Sequence, residues 1–238
     1  MYFELMEESV KNLGITIDRN QYEQFEKYKN LLKEWNEKMN LTAITEDEEI
    51  FKKHFIDSIK VFEFKEVLKA SSIIDVGTGA GFPGIPIKIM MPEVKLTLLD
   101  SLNKRLNFLK AVSEELKLAD VQFIHSRAED GGRLEEHREN YDIAVSRAVA
   151  NLTLLSELCI PYVKKGGYFV ALKGPAVEEE IKEASKAITV LGGKIREIKE
   201  ITIEGMDYKH NLVIIEKVKN TPRIYPRSSA AIKKSLIK

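Results

Sequence analysis

Cysteine is almost absent from this sequence, since Cys159 is the only one in 238 residues. A disulfide framework within the chain is therefore excluded, which is typical of proteins that fold in a reducing compartment. No apolar run reaches the ~20 residues that a membrane-spanning helix requires. The first residues carry Glu4, Glu7 and Glu8 and no basic segment, unlike a secretory signal. We therefore expect a cytoplasmic protein with no membrane partner.

An excess of charge of one sign is also missing, because 37 basic residues balance 37 acidic ones. Taken alone, this balance argues weakly against a nucleic-acid partner. The segment from Lys217 to Lys238 differs, because it holds seven basic residues and no acidic ones. Such a segment can contact a polyanion, and Arg223 and Arg227 are its candidates for phosphate contacts. A solvated tail is the alternative.

Hydrophobic periodicity divides the chain into three parts. Residues 1–65 are predicted to form an N-terminal helical subdomain, because Asp18 and Gln21 make a capping signal and apolar residues then recur at helical spacing. Residues 66–218 alternate short apolar runs with helical stretches. Residues 219–238 form the basic C-terminal tail.

The middle part is predicted to be a doubly wound α/β domain. The runs SIIDV, KLTLLD, VQFIH, YDIAV and YFVALK read as buried strands, with helices near 84–91, 102–118, 128–138 and 149–163. Strand–helix alternation implies a parallel sheet. GKIREIKEITIE and HNLVIIEKV follow with a short turn between them, which predicts an antiparallel pair at a sheet edge. Five parallel strands and a C-terminal hairpin form the Rossmann-like layout of class I methyltransferases.

The loop DVGTGAGFPG after the first strand indicates a nucleotide cofactor. Its glycines, beginning with Gly77 and Gly79, follow G-x-G-x-G spacing rather than the G-x-G-x-x-G of NAD-binding folds. Asp75 would repel a pyrophosphate, but it can pair with the amino group of S-adenosylmethionine (AdoMet). Asp100 ends the second strand and can accept hydrogen bonds from the ribose of either cofactor. The balance favours AdoMet, and an NAD-dependent oxidoreductase is an alternative.

The segment SRAVA follows the fourth strand and places Ser146 and Arg147 at the mouth of the predicted site. A cation there is a poor promoter of a reaction that removes a proton. It suits an acceptor with a free lone pair, such as guanine N7, or a phosphate that must be held. Arg147 is therefore predicted to position the acceptor without a general base, and a structural ion pair is the alternative. Cys159 lies in an apolar helical pattern and is expected to belong to the core.

Four further residues are secondary candidates. Lys173 ends the fifth strand and can touch a substrate phosphate. His54, Asp57 and Ser58 lie on one helix face and can support the pocket, although a local helix-docking network explains them equally well. The histidines show no metal-ligand spacing, so no metal site is predicted. Ser101 is placed to cap the helix that follows the second strand.

The ordered motifs resemble those of one family along nearly the whole chain. LLKEWNEKMNLTAIT, KHFIDSI, DVGTGAGFPGIPI, LLDSLNKRLNFL, SRAED, YDIAVSRAVA, ALKG and NTPRIYPR are similar, in order, to motifs of the bacterial GidB/RsmG family, the 16S ribosomal RNA guanine-N7 methyltransferases. The resemblance implies methyl transfer from AdoMet to N7 of guanine 527 in 16S rRNA. The partner would then be that RNA or the small ribosomal subunit, and we expect the chain to act as a monomer.

The resemblance also implies roles for individual residues. Gly77 and Phe82 would contact AdoMet, as would the strand end around Asp100 with Ser101 and Leu102. Ala128 and Glu129 would flank the adenine, and Arg147 would reach the methionine end or the target base. The alternatives are an AdoMet-dependent methyltransferase of another RNA or of a small molecule, and a non-catalytic RNA-binding module.

Overall fold

The computed structural model of the chain describes residues 2–147, 150–175, 177–203 and 209–237. Parts of some predicted segments lie outside the described residues, namely Ala148 and Val149 of SRAVA, Glu204 of the sixth predicted strand, and Lys238 of the tail.

Helices pack on both faces of one central sheet. In chain order the α-helices are α1 (Tyr2–Lys11), α2 (Arg19–Met39), α3 (Asp47–Ile50), α4 (Asp57–Ile59), α5 (Gly84–Met90), α6 (Asn103–Glu115), α7 (Ala128–Gly131), α8 (Leu152–Cys159), α9 (Val177–Val190) and α10 (Ser229–Lys234). A π-helical turn, Phe51–Ile56, joins α3 to α4, and 3-10 turns cover Lys60–Glu63, Lys65–Lys69 and Ile160–Tyr162. The strands are β1 (Ser72–Val76), β2 (Lys95–Asp100), β3 (Val121–His125), β4 (Tyr141–Ser146), β5 (Val163–Lys173), β6 (Gly193–Thr202) and β7 (Lys209–Lys217).

Seven strands of the described part of the chain form one sheet, in the order β3-β2-β1-β4-β5-β7-β6. β1 is parallel to β2 and to β4, and the parallel part continues to β3 on one side and β5 on the other. β7 is antiparallel to both β5 and β6, so the hairpin closes one edge. These pairings confirm the predicted sheet. Strand order reverses between β1 and β4, where ligands of doubly wound folds bind.

The N-terminal helices share an apolar core with one face of the sheet. Phe25 of α2 and Phe55 of the π-helical turn are fully buried in the same cluster as Ile73 and Leu98 from the strands. The predicted capping box at the start of α2 is present, because Asp18 accepts a hydrogen bond from the N–H of Gln21, whose side chain accepts one from the N–H of Asp18. Because the core is shared, this helical part is anchored directly over β1 and β2. The domain division at residue 65 stays a prediction.

Two local predictions were wrong, for identifiable reasons. The helix predicted near 128–138 ends at Gly131, and the chain turns so that the Arg138 guanidinium can donate to the Gly132 carbonyl at 3.2 Å. Ser101 does not cap α6, which begins at Asn103. Instead the Asp100 carboxylate accepts from the N–H of Leu102 at 2.9 Å and sets the turn into the helix.

The first part of the tail is packed against the α/β part of the chain rather than extended in solvent. Arg138 donates to the carbonyls of Thr221 at 2.8 Å and Tyr225 at 2.7 Å, and Arg133 Nε donates to the carbonyl of Pro226 at 2.9 Å. These bonds satisfy backbone acceptors that a loose tail would leave to water. The first part of the tail is therefore a fixed structural segment.

Candidate active site

The glycine loop joins β1 to α5 at the switch point of the sheet. Gly77 has φ of 74°, a conformation that favours glycine, and its N–H donates to the Leu99 carbonyl at 2.9 Å. A Cβ added at Gly77 would meet no atom within 4 Å, so this side of the loop is open. At Gly81 a Cβ would lie 2.6 Å from the Tyr28 hydroxyl. The loop is thus open where a ligand can approach and closed where α2 supports it.

A cleft of about 250 Å³ opens beside this loop, at the carboxyl ends of β1, β2 and β4. Five of the predicted cofactor-binding residues line it, namely Gly77, Asp100, Ser101, Ala128 and Glu129. The Ser146 residue at the end of β4 lines it too. The other predicted residues do not line the cleft, namely Asp75, Gly79, Phe82, Leu102 and Arg147. Sequence spacing therefore located this cleft, and the cofactor contacts themselves stay predictions.

The chemistry of the cleft fits a nucleoside. Asp100 lies at the end of β2, where its carboxylate accepts from the N–H groups of Leu102 and Gly79, each at 2.9 Å. These bonds fix a carboxylate in the cleft wall, where its acceptor oxygens suit sugar hydroxyls. Leu155 and Leu158 of α8 add apolar surface suited to a base. An oxygen acceptor beside an apolar wall matches the two ends of an adenosine.

Asp75 has a structural place inside the loop. Its Oδ2 accepts from the Thr78 hydroxyl at 2.7 Å and from the N–H of Gly84 at 2.9 Å, and the side chain is fully buried. Burial raises the pKa of Asp75 to about 6, although these two hydrogen bonds lower it in part. Through these hydrogen bonds Asp75 links the start of the loop to the start of α5. The predicted contact with the cofactor amino group stays a prediction.

Arg147 is held at the end of β4 by the N-terminal helices. Its Nη1 donates to the Asp57 carboxylate at 2.9 Å and to the Lys53 carbonyl at 3.0 Å, and Nη2 donates to His54 Nδ1 at 3.1 Å. The guanidinium also lies over the Phe82 ring, 4.8 Å from its centroid. The ion pair foreseen as an alternative for Arg147 is present, and it fixes the arginine beside the loop.

The helix face predicted to carry His54, Asp57 and Ser58 holds this arginine, because His54 and Asp57 contact Arg147 and Ser58 contacts His54. His54 lies in the π-helical turn, and its ring stacks on Phe82 with centroids 4.4 Å apart. Burial, together with the charge of Arg147, lowers the pKa of His54 to about 3, so the ring is neutral. The Ser58 hydroxyl donates to the His54 carbonyl at 2.5 Å.

Two members of this network had no signal in the sequence. His210 of β7 donates from Nδ1 to the second Asp57 oxygen at 2.5 Å, and Thr42 contacts His54 Nε2 through its hydroxyl at 2.8 Å. Burial alone would raise the pKa of Asp57, but the bond from His210 and the charge of Arg147 hold it below its usual value. Asp57 is therefore ionised and buried, and it joins the N-terminal helices to Arg147 at the end of β4 and to His210 of β7.

The predicted RNA-contact residues occupy different environments. Lys173 is buried, and its ammonium donates to the Ala150 carbonyl at 2.9 Å and pairs with Glu180 at 2.8 Å. The Arg227 guanidinium pairs with the buried Glu157 at 2.7 Å. Arg223 is 73% exposed and pairs with an exposed carboxylate, Glu135. Of the three, Arg223 has the charge most accessible to a phosphate, and the RNA contacts stay predictions.

In residues 2–147, 150–175, 177–203 and 209–237, no three His, Cys, Asp or Glu side chains stand together as metal ligands would. In the same ranges, no helix has both the length and the apolar character needed to cross a membrane.

Comparison with known proteins gives a family over most of the chain. The GidB family model, described as rRNA small subunit methyltransferase G, matches residues 21–213. The ribosomal RNA small subunit methyltransferase G of Clostridium botulinum (strain Loch Maree / Type A3) is 59% identical over 237 residues, covering 100% of this chain and 99% of that protein. The proteins of the same name from Clostridium perfringens (strain SM101 / Type A) and Clostridium tetani (strain Massachusetts / E88) are 58% and 56% identical, with the same coverage of 100% and 99%.

Solved structures share the fold at low identity. An O-methyltransferase from Thermotoga maritima superposes with a TM-score of 0.53 at 15% identity, over 80% of this chain and 72% of that chain. TYW2 from M. jannaschii, solved in complex with AdoMet, gives a TM-score of 0.51 at 16% identity, over 68% and 77%. TrmN from Thermus thermophilus gives 0.51 at 15%, over 70% and 53%. These likenesses confirm the class I methyltransferase fold.

Proposed function

Because this chain belongs to the GidB family of rRNA small subunit methyltransferases, we propose that it transfers a methyl group from AdoMet to N7 of guanine 527 in 16S rRNA. The observation that carries the proposal is the pairing of two features at one edge of the sheet. The cleft is lined by Gly77 and Asp100, and Arg147 is held beside the loop at the end of β4. The first feature suits the methyl donor and the second suits the acceptor.

The cleft residues fit AdoMet by their chemistry. Asp100 would accept hydrogen bonds from the ribose hydroxyls, with Ser101 and Leu102 shaping the turn beside it. Ala128 and Glu129 would flank the adenine. When bound, AdoMet supplies a methyl group on a positively charged sulfur that leaves as a neutral thioether. The open backbone at Gly77 admits the ligand without a side chain in the way.

The chemistry of Arg147 favours an acceptor from which no proton has to be removed during methylation. A guanidinium stays protonated in proteins and cannot accept a proton, so it cannot serve as a general base. Guanine N7 already carries a lone pair, and its methylation requires no proton removal by the chain. The contribution of the site is then alignment and exclusion of water. The buried ring of Phe82 supplies an apolar surface directly beneath the Arg147 guanidinium.

The RNA substrate is supported by the names of the relatives and by the exposed cation of Arg223. Phosphate contacts position an RNA on a protein without reading its sequence. Arg223, Arg227 and Lys173 are the proposed contacts, and Arg223 is the most exposed of them.

The direct test is transfer of labelled methyl from AdoMet to small ribosomal subunits from cells that lack this enzyme, followed by mapping of the modified nucleotide. We expect one methyl per subunit on N7 of the target guanine. Arg147→Ala and Gly77→Asp should abolish transfer while circular dichroism shows an intact fold, and Arg147→Lys tests whether charge alone suffices. Absence of incorporation into naked RNA, subunits and assembly intermediates alike would overturn the proposal. A thermal shift with NADH and none with AdoMet would indicate an oxidoreductase instead.

A further inference from the structure

The hydrogen bonds of Arg147 are divided unequally among its nitrogens. Nη1 donates to Asp57 and to the Lys53 carbonyl, and Nη2 donates once, to His54. A guanidinium has five N–H donors. In the described ranges of the chain, Nε–H and one Nη2–H of Arg147 have no partner, and 20% of the side chain is exposed. An arginine that is firmly held on one side therefore keeps donors available on the other.

The direction of the hydrogen bonds around His54 follows from its neighbours. Arg147 can only donate, so His54 Nδ1 must accept and carries no proton. The ring then carries its proton on Nε2 and donates it to the Thr42 hydroxyl at 2.8 Å. The N–H of Ile44 donates to the same hydroxyl oxygen at 3.0 Å, and the two lone pairs of that oxygen accommodate both donors. One tautomer of His54 satisfies every contact.

A protonated ring would disrupt this arrangement. Nδ1–H would face the Arg147 guanidinium, and two donors would meet without an acceptor between them. Burial is the largest cause that lowers the pKa of His54. Of the charged groups that face the ring, Arg147 and Lys53 lower this pKa further and the carboxylate of Asp57 raises it in part. The pKa of about 3 agrees with the geometry and keeps the ring in its accepting form.

We infer that His54 is a positioning residue. By accepting from Arg147 Nη2 while Asp57 anchors Nη1, it aims the remaining Nε–H and Nη2–H of Arg147 at an oxyanion bound during the reaction. Paired arginine donors suit the two oxygens of a carboxylate or a phosphate. The inference rests on the proposed function for the identity of that oxyanion, which is either the carboxylate of the methyl donor or a phosphate of the RNA.

Two substitutions of His54 separate its acceptor from its donor. In His54→Asn the amide oxygen replaces Nδ1 as acceptor toward Arg147, and the contact to Thr42 is lost. In His54→Gln the amide reaches the position of Nε2, keeps Thr42 and loses the acceptor. Both variants lose the stacked ring over Phe82, so each controls for the other.

The experiment measures the AdoMet Kd by titration calorimetry and kcat and KM for small subunits in both variants of the full chain. We expect kcat/KM of His54→Gln to be about tenfold or more below that of His54→Asn, the size of one hydrogen bond to a charged group, because both variants lose the stacked ring and only His54→Gln loses the acceptor toward Arg147. A raised AdoMet Kd in His54→Gln would identify the donor carboxylate as the oxyanion. A raised KM for subunits at unchanged AdoMet Kd would identify an RNA phosphate. Equal losses in the two variants, or no loss in either, would overturn the inference.

A second measurement is independent of turnover and of variant folding. Nitrogen NMR of the histidine rings of the wild-type chain should show a neutral Nε2–H tautomer for His54, unchanged between pH 7 and about pH 5. An Nδ1–H tautomer, or an imidazolium at pH 6, would contradict the positioning role even if methyl transfer occurs. If instead the wild type transfers no methyl to any ribosomal substrate, the proposed function fails while this NMR result still decides the role of His54.

Discussion

Arg227 closes over the buried carboxylate of Glu157 with a two-point contact. Nε donates to Oε1 at 2.8 Å and Nη2 donates to Oε2 at 2.7 Å, while the backbone N–H of Arg227 donates to Oε1 at 2.9 Å. The Glu157 side chain is 1% exposed. Glu157 lies on α8, whose Leu155 and Leu158 line the cleft. The tail is therefore tied to a wall of the candidate active site.

We expect Arg227→Ala to lower the free energy of unfolding by about 3 kcal/mol, because it leaves a buried carboxylate without its cation. Urea denaturation at neutral pH measures this change. The matched control is Arg223→Ala, since Arg223 pairs with an exposed Glu135 and should change stability by less than about 0.5 kcal/mol. Similar losses of unfolding free energy in the two variants would show that the buried ion pair stabilises the fold no more than the exposed one.

Arg223→Ala should weaken binding of small-subunit RNA and make the plot of log K against log salt less steep by about one unit, because one phosphate contact is lost. Binding titrations at several salt concentrations give this slope. Arg196→Ala is the control, because Arg196 is also exposed and paired, with Glu216 at 4.0 Å, but lies on the edge strand β6. A slope unchanged by Arg223→Ala would remove this residue from the RNA contact.

Asp75 contributes stability in its protonated form, and we expect this contribution to be lost as pH rises from 3.8 to about 6. Its pKa is raised from 3.8 to about 6, so the folded state holds the proton more tightly than the unfolded state between these values. The stabilising contribution is complete below pH 3.8 and is lost by about pH 6.

The comparison with Asp75→Asn isolates this effect, because the amide oxygen can still accept from Thr78 and Gly84. We expect the free energy of unfolding of the wild type, relative to Asp75→Asn, to fall by about 3 kcal/mol across this window. Denaturation of both proteins at pH 4 and pH 7 measures it. A constant difference between the two proteins would contradict the raised pKa.

The thiol of Cys159 should not react with thiol reagents in the folded protein. The side chain is fully buried, and burial raises the pKa of its thiol well above the usual value. Thiol reagents should label it only after unfolding. Cys159→Ala should keep methyl transfer near wild type at a stability cost of about 1 kcal/mol. Rapid labelling of the native chain, or loss of transfer, would indicate a nucleophilic cysteine instead of a core residue.

The strands were predictable because each is a short apolar run bounded by polar or glycine residues. Burial on both faces of a parallel sheet produces such runs in β1 and β2, and these two strands and the edge strand β3 have the predicted bounds. Helix starts were less predictable, as the turn before α6 shows. Leu102 is the N-cap of α6, no side chain caps the helix, and the Asp100 carboxylate fixes the preceding turn through the N–H of Leu102, which spacing does not reveal.

The cleft was predictable because parallel strands end at one edge of the sheet, so Gly77 and Asp100 had to lie near each other. The support of Arg147 was not predictable. Asp57 reaches it from 90 positions away, and His210 reaches Asp57 from 153 positions away. Contacts of this kind depend on how helices settle on the sheet, and no local pattern encodes them.

The position of β7 has a consequence for synthesis of the chain. Among the described strands, β6 pairs only with β7, yet β6 leaves the ribosome first. Until Lys217 has emerged, β6 has no neighbour in register, and β5 presents an open edge to any passing strand. A nascent or truncated chain that stops before β7 therefore loses two strands at once, and sheet completion waits for nearly the whole polypeptide.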